Sequence, residues 1–491
     1  VSNFNSQPIT LKNLAENVAL VATGDAQLAG ITHNSGQVGP GFLYVAIPGL
    51  NHHGIEFLSQ ALERGAVAVA SDAHGCAAAA QFGLPHILLD QPRVDMARLA
   101  AQFYDHPENK LRMVGVTGTN GKTTITQMLR TLLRSSGEKV GVIGTLGSFV
   151  DDVQMPSSRT TPESTDLFAL LAQMVALGAT TVCMEVSSHA LELERVAGIT
   201  FEVSVFTNLT QDHLDFHHDM DSYFAAKAKL FTQSRSRAAV IDTDNPWGQK
   251  LALTTDADSI ITVGDNGQWR IADVELSLSG STKFRLNHDG ANLDVSVPMY
   301  GVFNAKNAAL CLAACQQLGL EPANVAAGLT QLPQVPGRME IVAQRDGMLA
   351  LVDYAHTPDA VSNVLTQLAL AEPNRIITVI GCGGDRDASK RPIMGQIAAK
   401  LSDLVVVTDD NPRTEAAADI RKQVLAGALG QAAEVLEIGD RELAITTAIS
   451  LAGPGDVIAV LGKGHEVGQE VNGVITPFDD AQVILEVLAN A

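Results

Sequence analysis

The chain of 491 residues is long enough for about three domains of ordinary size, each with its own core. Its 46% hydrophobic and 4% aromatic composition is that of a globular α/β protein and excludes the disordered and fibrous classes. With 33 basic against 54 acidic residues the net charge is −21, which repels phosphate backbones and anionic lipid. Nucleic acid and membrane surfaces are therefore not expected partners, and a phosphate-bearing ligand must be gripped by a few locally placed Lys and Arg. Five cysteines (76, 183, 311, 315 and 382) form no disulfide framework and predict a reducing, cytoplasmic setting. Cys311 and Cys315, one helical turn apart in an apolar pattern, read as core. The opening VSNFNSQPIT carries neither the basic nor the apolar stretch of an export signal, and no apolar run approaches ~18 residues.

Up to residue 107, short apolar runs (FLYVAIPG, AVAVASD, HILLD) alternate with Ala-rich helical stretches and predict a small α/β module over 1–107. The polar, Pro-containing FYDHPENK marks its boundary. Over 108–334 the expected strands are Met113–Val116, Val140–Ile143, Thr181–Val186, Val203–Thr207 and Ala239–Asp242, separated by helical patterns such as TTITQMLRTLLRSS. Such alternation predicts a parallel sheet covered on both faces. Region 260–298 alternates apolar and polar residues and reads as antiparallel strands with an HDG turn. A third unit, 335–491, carries strands Leu349–Val352, Ile376–Ile380, Leu404–Thr408 and Val457–Leu461. Each runs into a polar loop (DYAHTPDA, GCGGDRDASKRP, DDNPRT, GKGHE), and such loops are where open α/β sheets bind ligands.

The sharpest chemical signal is MVGVTGTNGKTTITQML, an apolar strand, a Gly-rich turn and a helix. Gly118, Thr119, Asn120 and Gly121 can close backbone N–H groups on phosphate oxygens, Lys122 can reach the terminal phosphates, and Thr123 can offer a hydroxyl to Mg²⁺, with Thr124 alongside. Val116 stands where the common phosphate-loop expression has its first Gly. Downstream, Glu185 ends a buried-strand pattern, where an ionised carboxylate needs a partner or a cation. Asp212, His213, Asp215 and Lys227 follow, and His and carboxylate groups near a phosphate loop suggest metal ligands and a second Mg²⁺.

TGTNGKTT, MEVSSH, FTNLTQDHLD, the Lys of YFAAK, GRME, VDYAHTP, GCGGDRD, TDDNPRTE and GKGHE stand in the order that resembles the Mur ligases, over nearly all of residues 110–480. Those ATP-dependent enzymes add amino acids to the UDP-MurNAc peptide of peptidoglycan. The resemblance implies three α/β domains: an N-terminal UDP-binding module, a central ATPase-like domain with a phosphate loop, and a Rossmann-like C-terminal domain that binds the amino acid. It is strongest to the member adding meso-diaminopimelate to UDP-MurNAc-L-Ala-D-Glu, by attack of the amine on an acyl phosphate. The family pattern makes Lys122, Lys227 and His213 catalytic. It assigns two Mg²⁺ ions to Thr123, Glu185, His213 and Lys227, the last as a CO₂-derived carbamate, since an ammonium would repel the metal.

The nucleotide would also meet Asn304, Asn307, Arg338 and Asp353, with His356 nearby. The UDP-MurNAc dipeptide would meet His33, Ser35, Leu50, Asn51, His52, Arg159, Thr160, Thr161, Ser187, Leu193 and Arg195. Relatives often read Asp-Ser-Arg where this chain has Asn34-Ser35-Gly36, which puts the contact made through that arginine in question. Diaminopimelate would meet Arg386, Asp410, Asn411, Pro412, Arg413, Gly462 and Glu466. Arg413 points to this amino acid over lysine because a guanidinium grips a carboxylate bidentately. The expected partners are thus small molecules, with a monomer as default. The competing readings are a lysine-adding ligase, a folylpolyglutamate synthetase, which should lack the N-terminal module, and a nucleotide-gated binding module. The polar loops of the third domain argue against the last.

Overall fold

The structure is a computed structural model that describes residues 9–157, 159–277 and 280–490. Three sheets dominate it, and each is mainly parallel. The central one has eight strands in the order Val153–Met155, Gly147–Val150, Val140–Gly144, Thr181–Glu185, Arg112–Thr117, Phe201–Phe206, Ser236–Asp242 and Ser259–Val263. Alternating side chains of Arg112–Thr117 face opposite ways: Val114 and Val116 pack under helices Lys122–Ser135 and Val302–Gln317, and Met113 under helix Ser164–Ala176. Both faces are covered, which is why the strands read as nearly continuous apolar runs.

Two features depart from the sequence reading. The first two strands of this order form an antiparallel hairpin on the sheet edge rather than parallel members. Ser259–Val263, expected among antiparallel strands, instead pairs parallel with Ser236–Asp242. The antiparallel region proper is the meander Arg270–Ser277, Ser281–His288 and Ala291–Val297, whose Phe284, Leu286, Val295 and Val297 pack into the core shared with helix Val302–Gln317.

The N-terminal sheet runs Val21–Thr23, His86–Leu88, Ala66–Ser71, Phe42–Ala46, Gly30–Thr32, with only the first pair antiparallel. The C-terminal sheet runs Glu340–Arg345, Met348–Asp353, Val457–Leu461, Ile376–Ile380, Leu404–Val407, Glu434–Glu437, again antiparallel only at its first pair. The chemistry-bearing loops leave the carboxyl ends of parallel strands in the central and C-terminal sheets, and the two sets meet across a cleft. Asn120 reaches Asp359 (Nδ2 to Oδ2, 3.3 Å), and Arg338 reaches Thr123 (Nη2 to Oγ1, 3.3 Å). Among the described residues no helix is long and apolar enough to cross a membrane.

Candidate active site

The phosphate loop joins Arg112–Thr117 to helix Lys122–Ser135 with no side chain capping the helix start, so its first N–H groups stay open toward the loop. Gly118 has φ +146°, and a Cβ there would lie 1.9 Å from Thr207 Oγ1, so only glycine fits. The loop is pinned from the neighbouring strand. Asn208 accepts from Asn120 N through Oδ1 (2.9 Å) and Thr119 donates its backbone N–H to the Asn208 carbonyl (3.0 Å). The Gly118 carbonyl accepts from both Lys122 Nζ and Lys227 Nζ, each at 2.9 Å. Burial draws the Lys122 pKa down, Glu185 opposing it. Lys227 is buried, with its amine 4.7 Å from the centre of the Tyr223 ring. Its pKa is pressed well below the lysine value by burial and then by Lys122.

Asn120, Gly121, Thr124, Asn304, Asn307, Arg338 and Asp353 line one cleft with Asn208 and Tyr354. The sequence-derived nucleotide residues of both domains therefore converge. Asn304 is fully buried and donates to the Tyr300 carbonyl (2.9 Å), and Asn307 donates to Asn304 Oδ1 (3.2 Å). Arg338 lies over the Tyr354 ring at 4.8 Å. Asp353 accepts from Met339 N (2.7 Å), and burial raises its pKa to about 6 against the pull of Arg338. His356 sits beside it with Nδ1 on the Tyr354 carbonyl (2.8 Å).

Glu185 is buried, and Thr145 donates to both of its oxygens, through N (2.9 Å) and Oγ1 (3.0 Å). Thr145 Oγ1 also meets Thr160 Oγ1 at 3.2 Å, which ties the carboxylate to the Thr160–Thr161 segment. His213 stacks edge-on against His189, and burial lowers its pKa to about 4, Asp212 opposing. The side chain of Asp215 lies outside the described residues. Among the described residues no three His, Cys, Asp or Glu side chains converge as a ready-made metal cage.

Thr161 donates to the Glu185 carbonyl (2.8 Å) and accepts from Ser187 N (3.1 Å), and Arg195 donates to the Thr161 carbonyl (3.2 Å). The sequence reading missed the centre of this group, Glu163. Its buried carboxylate pairs with Arg159 (2.8 Å), Arg195 (2.8 Å) and Arg93 (3.3 Å), and Arg93 also donates to the Leu193 carbonyl. His33 joins this region through Thr165 (Nδ1 to Oγ1, 2.7 Å). Ser35 donates to Gln60 (2.7 Å), while Leu50, Asn51 and His52 stand exposed on their own loop.

In the C-terminal domain, Asn411 donates to Glu466 (2.6 Å) and Tyr354 donates to the same carboxylate (3.4 Å). Gly462 lies against Asp410, whose pKa burial raises. Arg413 has φ +52° and donates Nη1 to the Gly384 carbonyl (2.7 Å), with Pro412 buried beside it. Arg386 is exposed and touches the carbonyl of its neighbour Asp385. Sequence reasoning passed over Lys463, fully buried under these loops, with Nζ 2.5 Å from the Gly468 carbonyl and 3.3 Å from Asn411 Oδ1. A lysine inside a named motif was its only available signal.

Known proteins place this arrangement. The Mur ligase family catalytic domain matches residues 27–104, the Mur ligase middle domain 116–315, and the Mur ligase glutamate ligase domain 337–464. A UDP-N-acetylmuramoyl-L-alanyl-D-glutamate--2,6-diaminopimelate ligase of Streptomyces coelicolor is 42% identical, over 97% of this chain and 96% of that one. A solved structure under the same protein name superposes with a TM-score of 0.69 at 31% identity over 99% of both chains. The folylpolyglutamate synthase of Mycobacterium tuberculosis shares the fold at a TM-score of 0.63 and 20% identity, over 76% of this chain and 92% of its own. Spanned almost end to end by such relatives, the chain belongs to the Mur ligase family.

Proposed function

We propose that this ligase joins meso-diaminopimelate to UDP-MurNAc-L-Ala-D-Glu, with ATP converted to ADP and phosphate, in cytoplasmic assembly of the peptidoglycan precursor. The observation that carries the choice of amino acid is Arg413, held in a left-handed conformation with Nη1 on the Gly384 carbonyl (2.7 Å) and Nε 3.4 Å from the half-exposed Glu470 carboxylate, a pairing that a ligand carboxylate would have to share or displace. Arg413 offers a cation for a distal carboxylate, and Glu466, bonded to Asn411 in the neighbouring loop, offers a carboxylate for an ammonium. Lysine has no second carboxylate to present. The Streptomyces relative's name carries the same amino acid.

ATP lies with its phosphates on the open N–H groups of the Gly118–Thr124 loop and its remainder toward Asn304, Asn307 and Arg338. Lys122 balances charge on the phosphoryl group as it passes to the D-Glu carboxylate, a reaction governed by positioning and electrostatics. The acyl phosphate so formed is attacked by the amine, and phosphate leaves. Thr160, Thr161, Ser187 and Arg195 hold the dipeptide end, and the 1–107 module the uridine end, through Ser35, His33 and the Leu50–His52 loop. Arg386, Asp410, Asn411, Pro412, Arg413, Gly462 and Glu466 hold diaminopimelate.

The donors around the loop fit hard cations: a Thr123 hydroxyl, the Glu185 carboxylate, the His213 ring and the Lys227 position. Bound Mg²⁺ would supply charge neutralisation on the phosphates. A carbamate on Lys227 suits its surroundings, because a free amine adds CO₂ with loss of one proton, and the product would set an anion, in place of that neutral amine, opposite Lys122. Burial and Lys122 both favour that free amine. The catalytic route is tested by incubating enzyme, Mg-ATP and UDP-MurNAc-L-Ala-D-Glu without amine, then adding hydroxylamine. A hydroxamate of the substrate is expected; ATP turnover with diaminopimelate but no trappable acyl group would overturn the route.

A further inference from the structure

We infer that Glu415, clamped by the buried Arg391, is a positioning residue that sets the separation of the two arginine-bearing loops at the amino-acid site. The inference rests on the diaminopimelate reading above. Glu415 touches no proposed ligand position itself and acts through the Gly383–Arg386 and Asn411–Arg413 loops.

Arg391 is 1% exposed and grips Glu415 bidentately, Nη2 to Oε1 at 2.7 Å and Nη1 to Oε2 at 2.8 Å. The same guanidinium donates to the Gly383 carbonyl (3.1 Å) and to Gln423 Oε1 (3.0 Å). Glu415 Oε1 in turn accepts the backbone N–H of Asp385 at 2.5 Å. This one carboxylate therefore joins the start of helix Lys390–Leu401, the residue just before Arg386, and the residue two beyond Arg413.

A second layer stitches the loops directly. Gly384 N donates to the Asn411 carbonyl (2.8 Å), and Thr414 donates to both Asp385 oxygens, through Oγ1 (2.7 Å) and N (3.2 Å). A Cβ on Gly384 would lie 1.9 Å from the Pro412 carbonyl oxygen, so the loops sit in direct backbone contact. Asp385 and Arg413 are both in the left-handed region, φ +53° and +52°, conformations that non-glycine residues keep only where surrounding contacts impose them. The Glu415–Arg391 clamp is the buried, bidentate charged contact among them, beside the longer Arg413–Glu470 pair (3.4 Å), and charge-assisted bidentate pairs fix geometry most strongly.

The direction of the effect follows. An amide at 415 would set its NH₂ against the guanidinium in either orientation, and in one of them against the Asp385 N–H as well, and the loops would part. Misplacement by about 1 Å near reacting groups costs up to about 10²-fold. Glu415→Gln should therefore raise KM for diaminopimelate about 10-fold or more, with KM for ATP unchanged. The kcat/KM preference for diaminopimelate over lysine should shrink, because lysine uses no distal-carboxylate contact. Glu415→Asp, which keeps the charge, should recover part of the preference.

The measurement is kcat/KM with both amino acids and KM for ATP in wild type, Glu415→Gln and Glu415→Asp, with the unchanged ATP KM reporting an intact central domain. An unchanged amino-acid preference in Glu415→Gln overturns the inference, as does an equal loss toward both amino acids. A wild type that prefers lysine instead overturns the diaminopimelate reading, and the two failures are distinct.

Discussion

The Gly118–Thr124 loop and the proposed amino-acid pocket are built on opposite plans. Gly118–Thr124 is one stretch of chain between a buried strand and a helix, and its principal groups, from the Gly118 backbone to Thr123 Oγ1, come from adjacent residues. The amino-acid pocket proposed above draws Arg386, Asn411, Arg413 and Glu466 from three loops, and buried charges on other elements brace those loops. Lys463 reaches Asn411, Arg391 reaches Glu415, and the fully buried Arg441 pairs with Asp480 (2.7 Å) while donating to the carbonyls of Asp409 and Leu461. The loop's backbone cradle is set locally and only pinned from outside, by Asn208 and Arg338, whereas the assembled pocket depends on its distant braces for its shape.

The sharpest way to break this contrast is Arg413→Ala. Removing one partner of a charged recognition pair costs on the order of 2–5 kcal/mol, or about 30-fold to several thousand-fold. The loss should fall on kcat/KM for diaminopimelate in steady-state assays and leave KM for ATP nearly unchanged. If the ATP KM rises equally, the two sites are not separately built. On the nucleotide side, Lys122→Ala should stay folded by circular dichroism and lose about 10²–10³ in kcat, the scale of one lost transition-state donor. Retained turnover in a folded variant would remove Lys122 from the chemistry.

The contrast also explains which parts of the molecule were legible. Arg112–Thr117, Lys122–Ser135 and the four ligand-loop strands of the C-terminal sheet announce themselves by local apolar runs and turn residues, within a residue or two of their ends. Ser259–Val263 was misassigned because its alternation is that of an edge strand, half-covered, and sheet membership is a long-range choice. The hairpin Gly147–Val150 and Val153–Met155 is too short and too polar to carry a period. Glu163, Thr145 and Lys463 gave little local signal, because their defining partners are distant in sequence: Arg93 and Arg195 for Glu163, Glu185 for Thr145 and Asn411 for Lys463.

Cutting a brace sharpens the comparison further. Asp480→Asn leaves Arg441 buried and uncompensated, which costs about 3–5 kcal/mol. Thermal unfolding should show an early transition for the C-terminal sheet, while an ATP analogue still protects the central one. A single shifted transition for the whole chain would mean that the domains do not respond independently.

The smallest effect expected is in pH dependence. Burial, and then Arg338, lowers the His465 pKa from 6.5 to about 4, so the folded protein favours the neutral ring. Because the folded pKa lies below the unfolded one, this contribution is complete above pH 6.5 and is lost as pH falls toward 4. His465→Gln should flatten part of the fall in Tm across that window; an unchanged slope would show that the ring is not held neutral by the fold.

The central claim is that the assembled pocket selects a distal carboxylate, and phosphate release by the wild-type enzyme tests it most directly. With Mg-ATP and UDP-MurNAc-L-Ala-D-Glu present, meso-diaminopimelate should support release with a kcat/KM at least about 30-fold above that for L-lysine. Equal use of the two amino acids, or a preference for lysine, would contradict the account.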